Sequence, residues 1–340
     1  MKKFSTHCLL IVLLAYTSSL LAQDEGPKFT LSGTADTYFR ANLNASNDPE
    51  AYASGSAAAP ATSFANLPGF SLGMFNLIGA VEGEKVGVVG DLVFGPRGED
   101  AVFLSTGSAN IVNQLYAYWN VSENVKFTLG NFNTFLGYEV ISPASNFNYS
   151  TSYMFSYGPF SHTGLKVDIT AGDFSIMGAV LNPTDATDFN LTGDYVFGLQ
   201  LGYDFGSGSA YANGIFQDGF YQLDLTAGYD ITDALYLGVN ATIADETFSG
   251  VALYVQAALS ESFKLGVRAE SFTDKTGSIL GADIESSVFD FTLSANYTVD
   301  NLTIIPEIRI DALSDAQFDL GDEEIGDSLS SFILAAVYSF

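Results

Sequence analysis

Apolar and polar positions alternate strictly along the last part of this chain. From Ser330 to Phe340 every second residue is apolar, and the residues between are smaller or less aromatic. Successive side chains of a strand point to opposite sides, so this pattern predicts a strand with one apolar face. A last strand of this kind is typical of bacterial outer-membrane barrels. The apolar face comprises Phe332, Leu334, Ala336, Tyr338 and Phe340.

The same alternation recurs in strand-length segments through most of the chain. Clean segments begin near residues 29, 114, 125, 162, 221, 235, 251, 263, 289 and 302, and less regular ones lie near 70–82, 86–95, 174–182, 194–205 and 208–217. Together with the last strand they number about sixteen, which is within the range of bacterial barrels. The sequence therefore predicts an all-β fold, a transmembrane antiparallel β-barrel.

Connector lengths alternate as well. Short turns near residues 82–85, 122–124, 171–173, 206–208, 231–234, 260–262 and 300–301 are separated mostly by longer segments. The tight link at Asp218-Gly219 is the exception and leaves the strand count there open. Short turns on one side and long loops on the other are typical of outer-membrane barrels, so we expect periplasmic turns and extracellular loops.

Charged residues avoid the apolar positions of the clean strands. A lipid-facing Arg or Lys costs roughly 2–4 kcal/mol at the bilayer midplane, so we expect the opposite face to line the lumen. A soluble sandwich also alternates, but aromatic residues near the strand ends favour a barrel. The candidate pore-lining charges are Asp36, Arg40, Lys126, Lys166, Asp168, Asp224, Lys264, Arg268, Glu270, Asp290, Glu307, Arg309 and Asp311.

About sixteen strands are expected to enclose a water-filled lumen. Several candidate charges have an opposite charge two positions away on the same face, as in Lys166 and Asp168. Two interpretations stay open. Such pairs neutralise each other within the wall, or they tune the selectivity of a pore.

The long segment from Gly137 to Ser161 carries the candidate constriction. It is rich in Tyr and Asn, and Pro143 and Pro159 interrupt it. It could fold inward and narrow the lumen or stand outside as a cap, and the sequence does not decide between the two. The candidate residues are Tyr138, Glu139, Asn146, Asn148 and Tyr149.

The first residues have the layout of a secretory signal peptide. Lys2 and Lys3 precede a short apolar run, and a cleavage site is expected after Ala22. We therefore divide the chain into a signal peptide at 1–22 and a barrel at 23–340.

Cleavage would remove both lysines and take the formal charge from −27 to −29, and it would remove Cys8, the one cysteine. This acidity argues against nucleic acid as a partner. Two explanations of the acidity stay open, namely simple solubility and the attraction of cations.

Enzymatic chemistry has weak support in the sequence. His162 follows Ser161, which raises the hypothesis of a barrel hydrolase, but no nucleophile or phosphate-binding motif accompanies it. The acidic stretch from Asp319 to Asp327 lacks the ligand spacing of an EF-hand. We predict no catalytic residue, no cofactor and no metal site.

Several motifs between residues 111 and 170 resemble a known family. They are Gln114–Tyr118, Leu129–Phe132, Gly137–Glu139, Asn148–Ser150 and His162–Gly164. They are similar to the putative β-barrel porin-2 family, described as OmpL-like, and the leader ending in Leu-Leu-Ala-Gln resembles those of Bacteroidetes. The resemblance implies an outer-membrane barrel acting as a diffusion channel and names no substrate.

The first hypothesis is a passive channel for small hydrophilic solutes, with acidic loops that enrich cations at its mouth. The alternatives are a surface-binding barrel (an adhesin or receptor) with a blocked lumen, and a lipid hydrolase centred on His162. Expected partners are outer-membrane lipid and the barrel-assembly machinery, which would engage the last strand ending in Phe340. The oligomeric state is not readable.

Overall fold

Sixteen antiparallel strands form one closed barrel in the described part of the chain. The structure is a computed structural model that describes residues 26–48, 58–315, 318–321 and 324–340. The predicted signal peptide lies outside the described residues. The barrel confirms the sixteen-strand prediction, and the tight link at Asp218-Gly219 joins two separate strands.

The barrel strands differ in length, and the longest are β1, β2 and β14. Their bounds are β1 Lys28–Asn42, β2 Gly69–Glu82, β3 Val86–Phe94, β4 Val112–Ser122, β5 Val125–Asn133, β6 Ser161–Ala171, β7 Phe174–Leu181, β8 Val196–Asp204, β9 Gly208–Gln217, β10 Phe220–Thr232, β11 Leu235–Ala244, β12 Phe248–Ala258, β13 Phe263–Asp274, β14 Ser286–Val299, β15 Leu302–Leu313 and β18 Ser328–Ser339.

The last strand closes the barrel. β18 pairs with β15 on one side and with β1 on the other, in a register that runs from Thr34 opposite Ser339 to Asn42 opposite Ser331. Beyond β18, the backbone of Phe340 exchanges two 3.0 Å hydrogen bonds with Gly33. These pairings leave no free sheet edge, as an antiparallel sheet in lipid requires.

Short turns and long connections alternate as predicted. Connections of two to four residues join the strands at one end, while the other end carries 43–68, 95–111, 134–160, 182–195, 275–285 and 314–327, besides the tight links at 218–219 and 245–247. The long connections hold helix α1 (Pro96–Ala101), helix α2 (Tyr153–Tyr157), 3₁₀ turns at Gly107–Ile111 and Pro143–Ser145, and a hairpin of β16 (Phe318–Gly321) and β17 (Glu324–Gly326). No helix in the described ranges is long and apolar enough to cross a membrane.

Alternate positions along each strand differ sharply in exposure. On β12, Leu253 is 45% exposed whereas the next residue, Tyr254, is 2% exposed. The outward face of the barrel is an apolar belt to which Leu225, Val251 and Leu293 contribute. Such a belt fits lipid contact, and the inward face carries the charges that lipid would exclude.

The barrel interior is more densely packed than the water-filled lumen expected from strand number. Apolar side chains from the long connections pack against inward-facing wall residues, as Tyr153 and Met154 do near Phe272. The inward face of β18 is itself apolar, since Ile333 and Val337 are buried there. The long connections therefore supply a core inside the wall, which strand periodicity cannot show.

Candidate functional site

The connection between β5 and β6 folds into the barrel. We call residues 134–160 the inserted loop. Its backbone and side chains contact inward-facing residues of β1, β10, β13, β14 and β15. Of the two placements that the sequence left open, the structure has the inward one.

Glu307 of β15 anchors the middle of the inserted loop. Its carboxylate accepts hydrogen bonds from the backbone N–H groups of Tyr149 (2.8 Å) and Ser150 (3.1 Å). The hydroxyl of Ser294 on β14 donates a third bond of 2.6 Å. Glu307 is almost fully buried, and an ionised carboxylate accepting several hydrogen bonds forms stronger contacts than a neutral acceptor.

Glu270 of β13 anchors the start of helix α2, which follows within the inserted loop. It accepts hydrogen bonds from the backbone N–H groups of Tyr153 (2.8 Å) and Met154 (2.7 Å), the first two residues of α2. These amides have no partner within a helix, so the wall carboxylate satisfies them. Ser152 caps the same end by accepting from the N–H of Phe155 at 3.1 Å.

Two arginines connect the wall to the inserted loop. Arg268 pairs with Asp290 at 2.7 Å and with Glu139 at 2.8 Å. Arg309 pairs with Asp311 at 2.7 Å and with Asp290 at 3.1 Å. Each guanidinium also donates a 2.7 Å bond to a backbone carbonyl of the inserted loop. All five side chains are buried, so removing one member would leave an uncompensated charge in a poorly solvated site.

Asp36 lies on β1, which only β18 separates from β15, and it holds the side chain of Tyr149 on the inserted loop. The hydroxyl of Tyr149 donates to Asp36 at 2.5 Å, and the N–H of Met74 donates at 3.0 Å. Burial and the neighbouring Asp36 carboxylate raise the pKa of the Tyr149 hydroxyl well above its usual value, so it remains a donor. A Cβ at position 73 would lie 1.6 Å from the Asp36 carboxylate, which is why Gly73 is needed here.

Two cavities lie along the wall formed by β1 and β2. The first, of about 470 Å³, is on the long-loop side and is lined by aromatic rings that include Tyr38, Phe64 and Phe103. The second, of about 430 Å³, lies between the inserted loop and the wall of β1–β5. Gly73 lines the first cavity and Met74 the second, so the contact between Tyr149 and Asp36 lies between them.

The structure places the predicted charges in three environments. The buried ones lie inside the barrel, mostly against the inserted loop, whereas Lys126, Lys166 and Asp168 are half-buried and Lys264 is exposed. Lys166 and Asp168 form an ion pair at 3.3 Å. The buried set is Asp36, Arg40, Asp224, Arg268, Glu270, Asp290, Glu307, Arg309 and Asp311.

The five candidate constriction residues all lie on the inserted loop. Asn148 donates to Ser294 of the wall at 2.7 Å, and Asn146 bonds to the backbone of Val140 within the loop. The ring of Tyr138 stacks on Tyr254 of β12, with the ring centroids 4.1 Å apart. Burial, reinforced by its hydrogen bond to Tyr236, raises the pKa of the Tyr138 hydroxyl.

Sequence reasoning missed three buried charged residues, and one of them, Asp274, is the last residue of β13. Asp91 lies on the irregular strand β3, and Arg97 lies on α1, where its guanidinium sits 4.4 Å from the centre of the Phe64 ring. Neither position belongs to a clean alternating segment. Their surroundings depend on strand register and loop placement, which one sequence does not show.

His162 is buried near the start of the inserted loop. Its Nε2 lies 3.0 Å from the hydroxyl of Thr134, and its ring packs near Phe132 and Phe135. Among the described residues, no group of three or more His, Cys, Asp or Glu side chains could hold a metal ion.

Comparisons with known proteins agree with this architecture. The family model described as putative beta-barrel porin-2, OmpL-like, matches residues 28–340. No curated sequence matches the chain. Similar solved structures include OprB of Pseudomonas putida (TM-score 0.60, 12% identity, covering 95% of this chain and 96% of that one). Outer-membrane expressed OmpT of Vibrio cholerae has a TM-score of 0.56 at 12% identity, covering 94% and 99%. A mutant of Rh. blastica porin has a TM-score of 0.55 at 14% identity, covering 92% and 100%. At these identities the likeness concerns the fold.

Proposed function

The chain belongs to the putative beta-barrel porin-2, OmpL-like family, and from this premise we propose that it is a channel for the passive diffusion of small hydrophilic solutes. It is a porin-like barrel of the bacterial outer membrane. We propose that the inserted loop is the constriction of this channel and that the channel favours cations.

One observation carries the channel proposal. Cavities of about 470 and 430 Å³ lie one after the other along the wall of β1 and β2, and the contact between Tyr149 and Asp36 lies between them. A route along this wall would be narrow, since residues of the inserted loop line both cavities. It therefore fits small hydrated solutes better than large ones.

The cation preference follows from the charges inside the barrel. Among the described residues, nine buried carboxylates face only four buried arginines. Charged side chains that line a pore favour ions of the opposite sign. The carboxylates are Asp36, Asp91, Glu139, Asp224, Glu270, Asp274, Asp290, Glu307 and Asp311, and the arginines are Arg40, Arg97, Arg268 and Arg309.

The less buried charges have a different proposed role. Lys126, Asp168 and Lys264 lie in the short-turn half of their strands, and Lys166 lies at the midpoint of β6. Lys264 lines a further cavity of about 280 Å³ next to Phe147 of the inserted loop. We propose that these four residues line the periplasmic vestibule. The nearby pair of Lys166 and Asp168 would largely cancel its own field there.

Planar-bilayer recording tests the function directly. Purified protein should produce stepwise current increases, and a salt gradient should give a reversal potential of the sign expected for cation passage. Absence of current over a range of salts would refute the channel. An anion-selective reversal potential would refute only the cation preference.

A second candidate is a surface-binding barrel with a blocked lumen. The observation that favours it is the complete burial of Arg268, Glu270 and Asp290 beneath the inserted loop. Under this alternative the long loops would bind a partner, and no current would flow. For either function we propose that His162 has a packing role rather than a catalytic one. We also propose that the barrel-assembly machinery recognises β18 and Phe340.

A further inference from the structure

We propose that a small monovalent cation, still partly hydrated, binds in the second cavity beside Asp91. This inference deepens the proposed channel function, since the site would lie on the route between the inserted loop and the periplasmic turns. The proposal rests on the Asp91 carboxylate, on three unpartnered oxygen atoms and on the volume of the cavity.

Asp91 is a buried carboxylate held by neutral groups. The side-chain amides of Asn76, Asn113 (2.7 Å) and Gln114 (3.1 Å) all donate hydrogen bonds to it. These donors come from both neighbouring strands, β2 and β4, and they fix the carboxylate in the wall. They carry no net positive charge, so the negative charge of Asp91 remains uncompensated in a site that is 2% exposed. Such a charge is costly without a counter-charge.

The other buried acids are balanced differently. Each of them receives a guanidinium or at least one backbone N–H, whereas Asp91 receives neither among the described residues. Asp224 on β10 is the closest parallel, because Asn213 and Asn240 also donate to it, but the N–H of Gly137 from the inserted loop completes its shell. The acids paired with arginine are Glu139, Asp290 and Asp311, and those bound to backbone N–H groups include Asp36, Asp224, Glu270, Asp274 and Glu307.

Three further oxygen atoms around the same cavity have no hydrogen-bond partner among the described residues. They are Oγ1 of Thr34 and the amide oxygens Oδ1 of Asn113 and Asn133. All three residues and Asp91 line the second cavity. Thr34 and Asn113 are more than nine-tenths buried. Buried polar atoms are normally satisfied, and unpartnered oxygens that line one cavity with a carboxylate are satisfied best by a cation or by its bound water.

The donor set indicates a monovalent ion. The site offers one carboxylate, and amide donors already engage both of its oxygens. Calcium sites use six to eight oxygen ligands at short distances, usually with several carboxylates. A cavity of about 430 Å³ has room for an ion that keeps several of its waters, each of which takes about 30 Å³.

A crystallographic test with rubidium as the probe cation does not depend on conduction. Crystals of the full barrel grown in rubidium chloride should show an anomalous peak beside Asp91 in the second cavity. The peak should vanish in Asp91→Asn and persist in Glu84→Gln, which removes one charge from an exposed turn. Absence of a peak in the unmodified protein, or its persistence in Asp91→Asn, would overturn the proposal.

Bilayer recording then separates the site from the channel function. Asp91→Asn should move the reversal potential in a potassium chloride gradient toward zero, while Asp91→Glu and Glu84→Gln should keep it near that of the unmodified protein. An unchanged reversal potential in Asp91→Asn would overturn the inferred role of the site in conduction and leave the channel intact. If the unmodified protein carries no current, the channel proposal fails, and the rubidium peak alone decides whether the site exists.

Discussion

Removing the two wall carboxylates that bind the backbone of the inserted loop should open the barrel. Glu307 and Glu270 each accept two backbone N–H groups of this loop, at distances from 2.7 to 3.1 Å. The variant Glu270→Ala/Glu307→Ala removes these acceptors and creates space where the side chains were. The arginine pairs of Arg268 and Arg309 remain, so the wall should still fold.

The size of the effect follows from the number of bonds. A hydrogen bond contributes about 0.5–1.5 kcal/mol between neutral groups and about 1.5–3 kcal/mol with a charged group, so four of them correspond to about 2–12 kcal/mol if they were additive. Roughly 5.5 kcal/mol shifts a two-state equilibrium from 1:99 to 99:1. Loss of both carboxylates should therefore change the population of the inserted position, whereas loss of one should give a smaller and partial change.

Single-channel recording combined with digestion by chymotrypsin measures this release. We expect the double variant to have a higher and noisier conductance, and we expect chymotrypsin to cut near Tyr149 and Tyr153, which are buried in the intact protein. The matched control, Glu84→Ala/Glu123→Ala, removes the same charge from two exposed turns and should behave like the unmodified protein. Equal conductance and equal protease resistance in both double variants would refute the anchoring role of these carboxylates.

Three other variants test separate parts of the structure. The Oδ1 atom of Asp185 accepts 2.8 Å hydrogen bonds from the N–H groups of Phe160 and Ser161. Burial raises the pKa of this carboxyl group from its usual 3.8 to about 6. The folded state therefore binds the proton more tightly than the unfolded state, and the free energy of unfolding should fall as pH rises from about 4 to about 6. Asp185→Asn should remove this loss, so it should stabilise the protein by on the order of 2–3 kcal/mol above pH 7 and by almost nothing at pH 4. Thermal unfolding in detergent at several pH values measures the difference. Leu253→Lys puts a charge on the lipid face and should lower the free energy of unfolding by roughly 2–4 kcal/mol, measured by a refolding titration into bilayers. Gln256→Lys, on the inward face of the same strand, should lower it much less. Equal losses would contradict the assigned faces. Arg268→Ala leaves Asp290 and Glu139 with less compensation and should destabilise the barrel by about 3–5 kcal/mol in the same titration; a cost under about 1 kcal/mol would show that this pair is dispensable.

Strand periodicity predicted the barrel because lipid imposes a strict rule on every second side chain. Leu253 and Tyr254 illustrate its power: neighbours in sequence, they lie on opposite faces, and the assignment needs no tertiary information. The same rule located Arg268 and Asp290 inside the barrel. It could not show that these two residues form an ion pair, because that depends on the register between β13 and β14.

The inserted loop marks the limit of this reasoning. Its residues carry no periodicity, and its position depends on wall groups more than a hundred residues away, such as Glu270 and Glu307. Asp91 was missed for a related reason. Its strand β3 has apolar residues on both faces, with Val93 buried inside and Val88 exposed outside, so alternation does not reveal which face holds the carboxylate.

Chemical crosslinking between the inserted loop and the wall tests the central claim most directly. Asn148 on this loop donates to Ser294 on β14 at 2.7 Å, and the sequence contains one cysteine, Cys8, so paired cysteines can be introduced cleanly. Asn148→Cys combined with Ser294→Cys should be joined by a short thiol-specific crosslinker in intact membranes, with little change in conductance, whereas Asn148→Cys combined with an outward Leu293→Cys should not be joined. Failure of the first pair to crosslink, or equal crosslinking of both pairs, would show that residues 134–160 do not occupy the interior of the barrel.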